Sequence, residues 1–191
     1  MITLDQLRGA HVALVTPMKR VGSLMAIDFE RVYERIDAVL DAGVTGVLFA
    51  GTTGQSATLS HDEQVDLCTR GIEHARDRAA ELGREVTCLA SAGSNSTDEA
   101  LHLTDRIARA IQPDAVLHVT GYYNNPPQEG IRAHFLEVGD VAQRHGIGVV
   151  LYNIPGRTGS RIEVDTLARL AEHPAIVAVK DATGDLDALE A

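Results

Sequence analysis

Lys180 closes the run Ala175-Ile-Val-Ala-Val-Lys180, an ammonium placed directly behind five apolar residues that read as a buried strand. Burial disfavours the charged form of an amine, and the neutral amine is the form that attacks a ketone. Lys180 is therefore a candidate Schiff-base residue. The competing reading is a lysine whose stem covers a strand end while its head reaches water. Three other polar groups follow apolar runs in the same way: Gly51-Thr-Thr-Gly-Gln-Ser56, Tyr122-Tyr-Asn124 and Tyr152-Asn-Ile-Pro-Gly-Arg157. The glycines of the first let backbone N–H groups approach a small carboxylate, although a simple tight turn has the same composition. No Gly-Lys-Ser/Thr follows, so it is not a nucleotide loop. The phenols of Tyr122 and Tyr123 can donate and accept protons, or can merely pack. The planar fork of Arg157 suits a substrate carboxylate, or a solvated surface.

Other chemistries find less in the chain. The eight histidines lack His-x-His or His-Glu-x-x-His spacing and read as surface residues. Asp181, Asp185 and Asp187 lack the longer calcium-loop pattern and read as a solvated helix start. A Gly-x-Ser-x-Gly elbow is absent. The expectation is no metal and no bound organic cofactor. A formal charge of -10 argues against a nucleic-acid partner. Cys68 and Cys88 make no disulfide framework and suit a reducing compartment. Met1 to Arg20 has no leader pattern, and no stretch approaches the ~18 apolar residues of a membrane span. A cytoplasmic protein without a membrane partner is the expectation.

The elements that must position these groups recur as strand-then-helix units, the pattern of parallel strands joined by crossover helices. Strands are predicted over His11 to Thr16, Thr45 to Ala50, Glu85 to Ser91, Ala115 to Val119, Gly148 to Tyr152 and Ala175 to Val179. They are short and apolar, as parallel strands covered on both faces should be. Phe29, Val32, Tyr33, Ile36, Val39 and Leu40 share one face of a first helix that stops at Gly43. Ser60-His-Asp-Glu63 and Ser96-Thr-Asp-Glu99 read as capping boxes opening the second and third. A fourth helix is expected from Pro127 to His145, a fifth from Ile162 to Glu172, and the opening of a sixth over Asp185 to Glu190.

Six strands could begin an eight-stranded barrel, which needs two more units and usually about 250 residues, or could form an open doubly wound sheet. The second fold advertises a glycine-rich turn after its first strand, and here that turn is Thr16-Pro17-Met18. The expectation is thus an α/β chain of the (β/α)8 barrel type, a single incomplete domain over 1–191 with about six units. Its first and last strands would expose unpaired backbone. All C-terminal strand ends of a barrel meet at one rim, which brings the four polar groups together.

Thr16-Pro17, Gly51-Thr-Thr-Gly-Gln-Ser56, Tyr122-Tyr-Asn-Asn-Pro126, Tyr152-Asn-Ile-Pro-Gly-Arg-Thr-Gly159 and Val179-Lys-Asp-Ala-Thr-Gly184 resemble, in order, the motifs of the dihydrodipicolinate synthase and N-acetylneuraminate lyase family. The resemblance covers essentially the whole chain and stops before the last two strands of that family's barrel. It implies a pyruvate-dependent class I aldolase on a (β/α)8 barrel, assembled as a dimer or tetramer. Lys180 would form an imine with pyruvate without any other cofactor, and Tyr152 would move protons. Thr52 and Tyr123 would complete a relay, Tyr123 being supplied across a dimer interface. Gly51, Thr53 and the nearby backbone would hold the pyruvate carboxylate. Arg157 would orient Tyr152 and bind the carboxylate of the second substrate.

The Thr52-Thr53 pair with Arg157 resembles the synthase branch, which implies aspartate 4-semialdehyde as the aldehyde and 4-hydroxy-tetrahydrodipicolinate, on the way to diaminopimelate and lysine, as the product. Cleavage of N-acetylneuraminate or another 2-keto-sugar acid is the alternative. A catalytically inert barrel serving as an interaction or regulatory module is the reading from another class. Ser56, Ala57, His61, Asn95, Glu99 and Tyr122 match positions that bind inhibitory lysine in some synthases, with Gln64 replacing a histidine. Gln55 stands where the family usually has Glu, and Gly121 where Pro stiffens the turn before the tyrosines.

Overall fold

In the computed structural model, which describes residues 2–187, short apolar runs alternate with amphipathic helices and settle into two layers. Six strands form one sheet: β1 (His11–Ala13), β4 (Gly46–Phe49), β5 (Thr87–Ser91), β6 (Ala115–Val119), β7 (Gly148–Asn153) and β8 (Ile176–Asp181). All pairs are parallel and the spatial order follows the sequence, β1-β4-β5-β6-β7-β8. A doubly wound sheet would reverse its order at a switch point, so this is the winding of a barrel wall. A separate antiparallel hairpin, β2 (Met18–Val21) and β3 (Leu24–Ile27), follows the first strand.

Helices α1 (Phe29–Asp41), α2 (His61–Glu81), α3 (Thr97–Ile111), α4 (Gln128–His145) and α6 (Val164–Leu170) lie along one face of the sheet, and a one-turn α5 (Pro155–Thr158) follows β7. Strand side chains alternate between faces, and the alternation sorts the core into two clusters. Outward residues such as Val47, Phe49, Cys88, Ala90, Val116, Val149 and Leu151 pack against Ile36, Leu40, Leu67, Ile72, Leu103, Ile107, Phe135 and Val138 of the helices. Each fully buried Leu, Ile or Phe of this layer is worth roughly 1.5–3 kcal/mol. Gly71 lets α2 approach the sheet, because a Cβ there would overlap the Phe49 ring. The opposite face gathers Leu48, Leu89, Ala115, Leu117, Val150 and Tyr152, with Ile2 of the N-terminal segment packed against them.

The N-terminus of α2 closes as a full capping box: the Ser60 hydroxyl accepts from Glu63 N (3.2 Å) while Glu63 accepts from Ser60 N (2.8 Å). At α3 only half of the expected box forms. Ser96 accepts from Glu99 N at 3.4 Å, but the Glu99 carboxylate takes a 2.7 Å bond from the Ser94 hydroxyl instead of capping Ser96 N. Pro127 stands at the N-cap position of α4 without a side-chain bond, and Gly146 ends the helix at φ 70. Three other expectations change. The first strand ends at Ala13 rather than Thr16, because the chain turns away into the hairpin. The fifth helix is shorter than its pattern, running only over Val164–Leu170. The last strand is not buried on both faces: every residue of β8 is at least partly exposed, since only β7 pairs with it among the described residues. Of the expected sixth helix over Asp185 to Glu190, only Asp185 to Asp187 lie within the described residues.

Two histidines read as surface residues are instead buried. His118 and His134 are 0% and 8% exposed, His118 on β6 against Thr104 of α3 and His134 on α4 against Thr97 at the start of α3. Burial holds both imidazoles below their ordinary range, His118 down to about 3. The two cysteines are buried as well, and burial pushes each thiol up to about 12, which leaves them inert as nucleophiles.

Candidate active site

The C-terminal ends of the strands bring the polar motifs to one rim. β7 and β8 run in register there, with Tyr152 opposite Lys180 and Asn153 opposite Asp181. Lys180 sits on the inner face, its Nζ 4.2 Å from the centroid of the Tyr152 ring, within reach of a cation–π contact. Tyr152 is 7% exposed and Lys180 half-buried, so the amine is partly wet rather than enclosed as the apolar run suggested. The chain has only two lysines, and the other, Lys19, pairs with Asp28 on the hairpin at 3.4 Å.

After β4 the chain turns sharply. Ala50 and Gln55 take left-handed φ values of 51 and 60, conformations that cost non-glycine residues of order 1 kcal/mol or more unless tertiary contacts impose them. Those contacts are present. The buried Thr16 hydroxyl donates to Gly54 O at 2.7 Å, and the buried Gln64 amide donates to Ser56 O at 3.2 Å. Gly54 is required, since a Cβ there would press on Leu14 O at 3.0 Å. Gly51 is buried beneath the turn while the hydroxyl-bearing Thr52 and Thr53 are exposed on it.

The Tyr122–Asn125 loop is likewise held from outside. Asn95 accepts from Tyr122 N at 2.8 Å, Thr158 O accepts from Tyr123 N at 3.4 Å, and the Ser160 hydroxyl donates to Asn125 at 3.3 Å. Tyr123 and Asn125 adopt φ 68 and 55, which splays the two tyrosines. Tyr122 turns toward the rim cavity at 37% exposure, whereas Tyr123 projects outward at 94%.

A cavity of about 360 Å³ opens between these loops, and Thr52, Ser56, His61, Glu99, Tyr122, Tyr152 and Arg157 are among its walls. Residues expected in two separate roles, proton relay and inhibitor binding, thus share one concavity, with Ala57 also on its wall. Asn95 does not join it, because its carbonyl is committed to the tyrosine loop. Tyr123 borders a separate groove on the other side of Arg157. Among the described residues no hydrogen bond links Tyr152 to Thr52, Tyr123 or Arg157. Ser91 and Ser94 also line the cavity and were not anticipated. The parity of β5 gives Ser91 away, since Leu89 two residues earlier faces inward. Among the described residues no group of His, Cys, Asp or Glu could hold a metal, and no helix is long and apolar enough to cross a membrane.

A family model described as the dihydrodipicolinate synthetase family matches residues 6–191. The chain belongs to that family. The 4-hydroxy-tetrahydrodipicolinate synthase of Methanopyrus kandleri is 44% identical over 186 residues, which are 97% of this chain and 58% of the relative. Among solved structures, a family member from Cyanidioschyzon merolae with lysine bound superposes at TM-score 0.83 and 38% identity, over 94% of this chain and 57% of that one. The chloride-inhibited dihydrodipicolinate synthase from Acinetobacter baumannii, complexed with pyruvate, superposes at TM-score 0.82 and 37% identity, over 94% and 57%. The six-stranded wall described above is therefore part of a (β/α)8 barrel fold. The chain spans a little under three fifths of the length of these family members.

Proposed function

We propose that this chain carries the imine-forming half of a 4-hydroxy-tetrahydrodipicolinate synthase site, with pyruvate and aspartate 4-semialdehyde as substrates. The observation that carries the reading is the register of Tyr152 with Lys180, which sets an amine against a phenol-bearing ring on the inner face of a parallel wall. In the proposed reaction Lys180 Nζ attacks the pyruvate carbonyl carbon, a C–N bond forms, and water leaves. Loss of a methyl proton gives the enamine, whose carbon attacks the aldehyde, and the new alkoxide takes up a proton; the amine of the aldehyde substrate then adds to the imine carbon and displaces Lys180, which closes the ring and frees the lysine. Tyr152 carries the protons, with Thr52 and the partner-supplied Tyr123 as relay. Gly51 and Thr53 hold the pyruvate carboxylate, and Arg157, open to solvent on the rim, receives the carboxylate of the aldehyde substrate.

Assembly is part of this reading. A tyrosine at 94% exposure, held outward by a left-handed backbone and by the bond from its N–H to Thr158 O, is shaped to enter a second copy. Two further βα units, of the kind that make up the remaining length of the family members, would pair with the open edges of β1 and β8 and enclose Lys180 more fully. Ser56, Ala57, His61, Glu99 and Tyr122 would admit a small amino acid to the mouth of the cavity, with Asn95 acting on Tyr122 from behind.

Pyruvate with borohydride, followed by peptide mapping, tests the reading directly. The expected result is a reduced carboxyethyl adduct on Lys180 and none on Lys19. No adduct on folded protein would favour the inert module, and turnover of N-acetylneuraminate without the semialdehyde would favour the sugar-acid branch.

A further inference from the structure

Between Val149 and Val150 the pairing of β7 with β8 slips: Val149 faces Ile176 but Val150 faces Ala178, so β8 carries one extra residue at Val177. A bulge resets which side chains point inward, and a slip of one residue would send Lys180 to the outer face. Something beyond the bulge must hold the register that sets Lys180 beside Tyr152.

The residues next to that pair do so. Asn153 is 2% exposed and its amide is fully engaged: Nδ2 donates to Asp181 Oδ2 (3.1 Å) and to Ile162 O (3.2 Å), while Oδ1 accepts from Ile162 N (3.0 Å). Asp181 Oδ1 accepts in turn from Thr183 N (2.8 Å) and the Thr183 hydroxyl (2.6 Å), and Ala182 N donates to Asn153 O at 2.9 Å. The two strand ends are thereby bonded through side chains as well as backbone. Sheet register is otherwise set by burial, but β8 is half-exposed and supplies little of it.

We propose that Asn153 and Asp181 form a cross-strand clamp that fixes the register of β8 downstream of its bulge, making Asn153 a positioning residue that keeps Lys180 facing inward beside Tyr152. The inference rests on the reading of Lys180 as the imine-forming group, but the clamp itself can be read without that chemistry.

The two lysines provide the test. Limited reductive methylation of the whole protein, quantified by peptide mass spectrometry, reports Lys180 against Lys19 as internal reference. D181A removes the carboxylate that accepts from the Asn153 amide and from Thr183. The ratio of Lys180 to Lys19 modification is expected to rise about tenfold, the shift that loss of one buried hydrogen bond of ~1.4 kcal/mol produces. D181E keeps a carboxylate at this position and should bring the ratio back toward the parent, together with pyruvate trapping where the parent traps. Circular dichroism confirms folding, and N153A serves where D181A fails to fold. An unchanged ratio in the folded D181A or N153A variant overturns the clamp. A parent that traps no pyruvate while D181A still moves the ratio sinks the aldolase reading and leaves the clamp standing.

Discussion

Acidification should destabilise this fold through His118. His118 is 0% exposed on the outward face of β6. Its Nε2 lies 3.0 Å from the Thr104 hydroxyl, which already donates to Ala100 O at 2.7 Å. The histidine must therefore be the donor, and its neutral tautomer carries the proton on Nε2. Nδ1 is buried without a partner, so a second proton would have nothing to bond. Burial, with repulsion from His134 added, takes the group from 6.5 down to about 3. Below pH 6.5 the unfolded chain binds a proton that the folded protein refuses, so stability falls as pH drops. Each pH unit costs about 1.4 kcal/mol, hence about 2–3 kcal/mol between pH ~6.5 and ~4.5. With a urea slope of ~2 kcal/mol/M for a chain of this size, the midpoint should fall by about 1 M. Asp105, pulled down to about 2 by Arg109 and then His145, contributes stability that is lost only below 3.8 and so stays out of this window. His118→Gln removes the titrating ring and can still donate to Thr104. The urea midpoint of H118Q should depend on pH much less, with the remaining slope coming from His134 and His11, both also held low by burial. An equal acid-induced loss in parent and H118Q would refute the reasoning.

Two further outcomes are expected. Tyr152→Phe should keep the borohydride-trapped adduct on Lys180, whose amine remains over the ring, while steady-state turnover falls by about 10²–10⁴-fold; unchanged turnover removes the phenol from the mechanism. Ser60→Ala dismantles a full capping box and should cost ~1 kcal/mol in a urea titration, whereas Ser96→Ala breaks a single 3.4 Å bond and should cost less; the reverse order would contradict the cap geometry.

What could be read from the chain beforehand follows the strength of each local signal. The apolar runs ending at Phe49, Ser91, Val119 and Asn153 are recovered within a few residues, because strands packed between two layers are made almost wholly of apolar residues, Thr87 and His118 being exceptions. The hairpin was missed: Met18-Lys-Arg-Val21 carries two charges and an exposed valine and shows no apolar face, and Gly22 at φ 62 was the only mark of its turn. His118 stands among the apolar residues of β6, so its parity pointed toward the helices, yet a histidine taken alone says nothing of burial. The half-formed box at Ser96 was hidden for another reason. Ser94 competes for the same carboxylate, and a local spacing rule cannot see a third partner.

The site divides along the same line. That Lys180 and Tyr152 end neighbouring strands was legible, since parallel strands place all their C-terminal ends on one rim. That they face each other was not, because it depends on the extra residue at Val177, and a bulge in a run of small apolar residues leaves no compositional trace. The burial expected of Lys180 failed for a related reason. An apolar run reports that its strand can be covered, whereas coverage itself comes from the neighbours on either side, and among the described residues β8 has one of the two. Enclosure of the amine is thus a property of the closed wall, while its direction is already decided within this chain by Asn153 and Asp181. If so, adding the pairing units should change how far Lys180 is shielded without changing which ring it lies against.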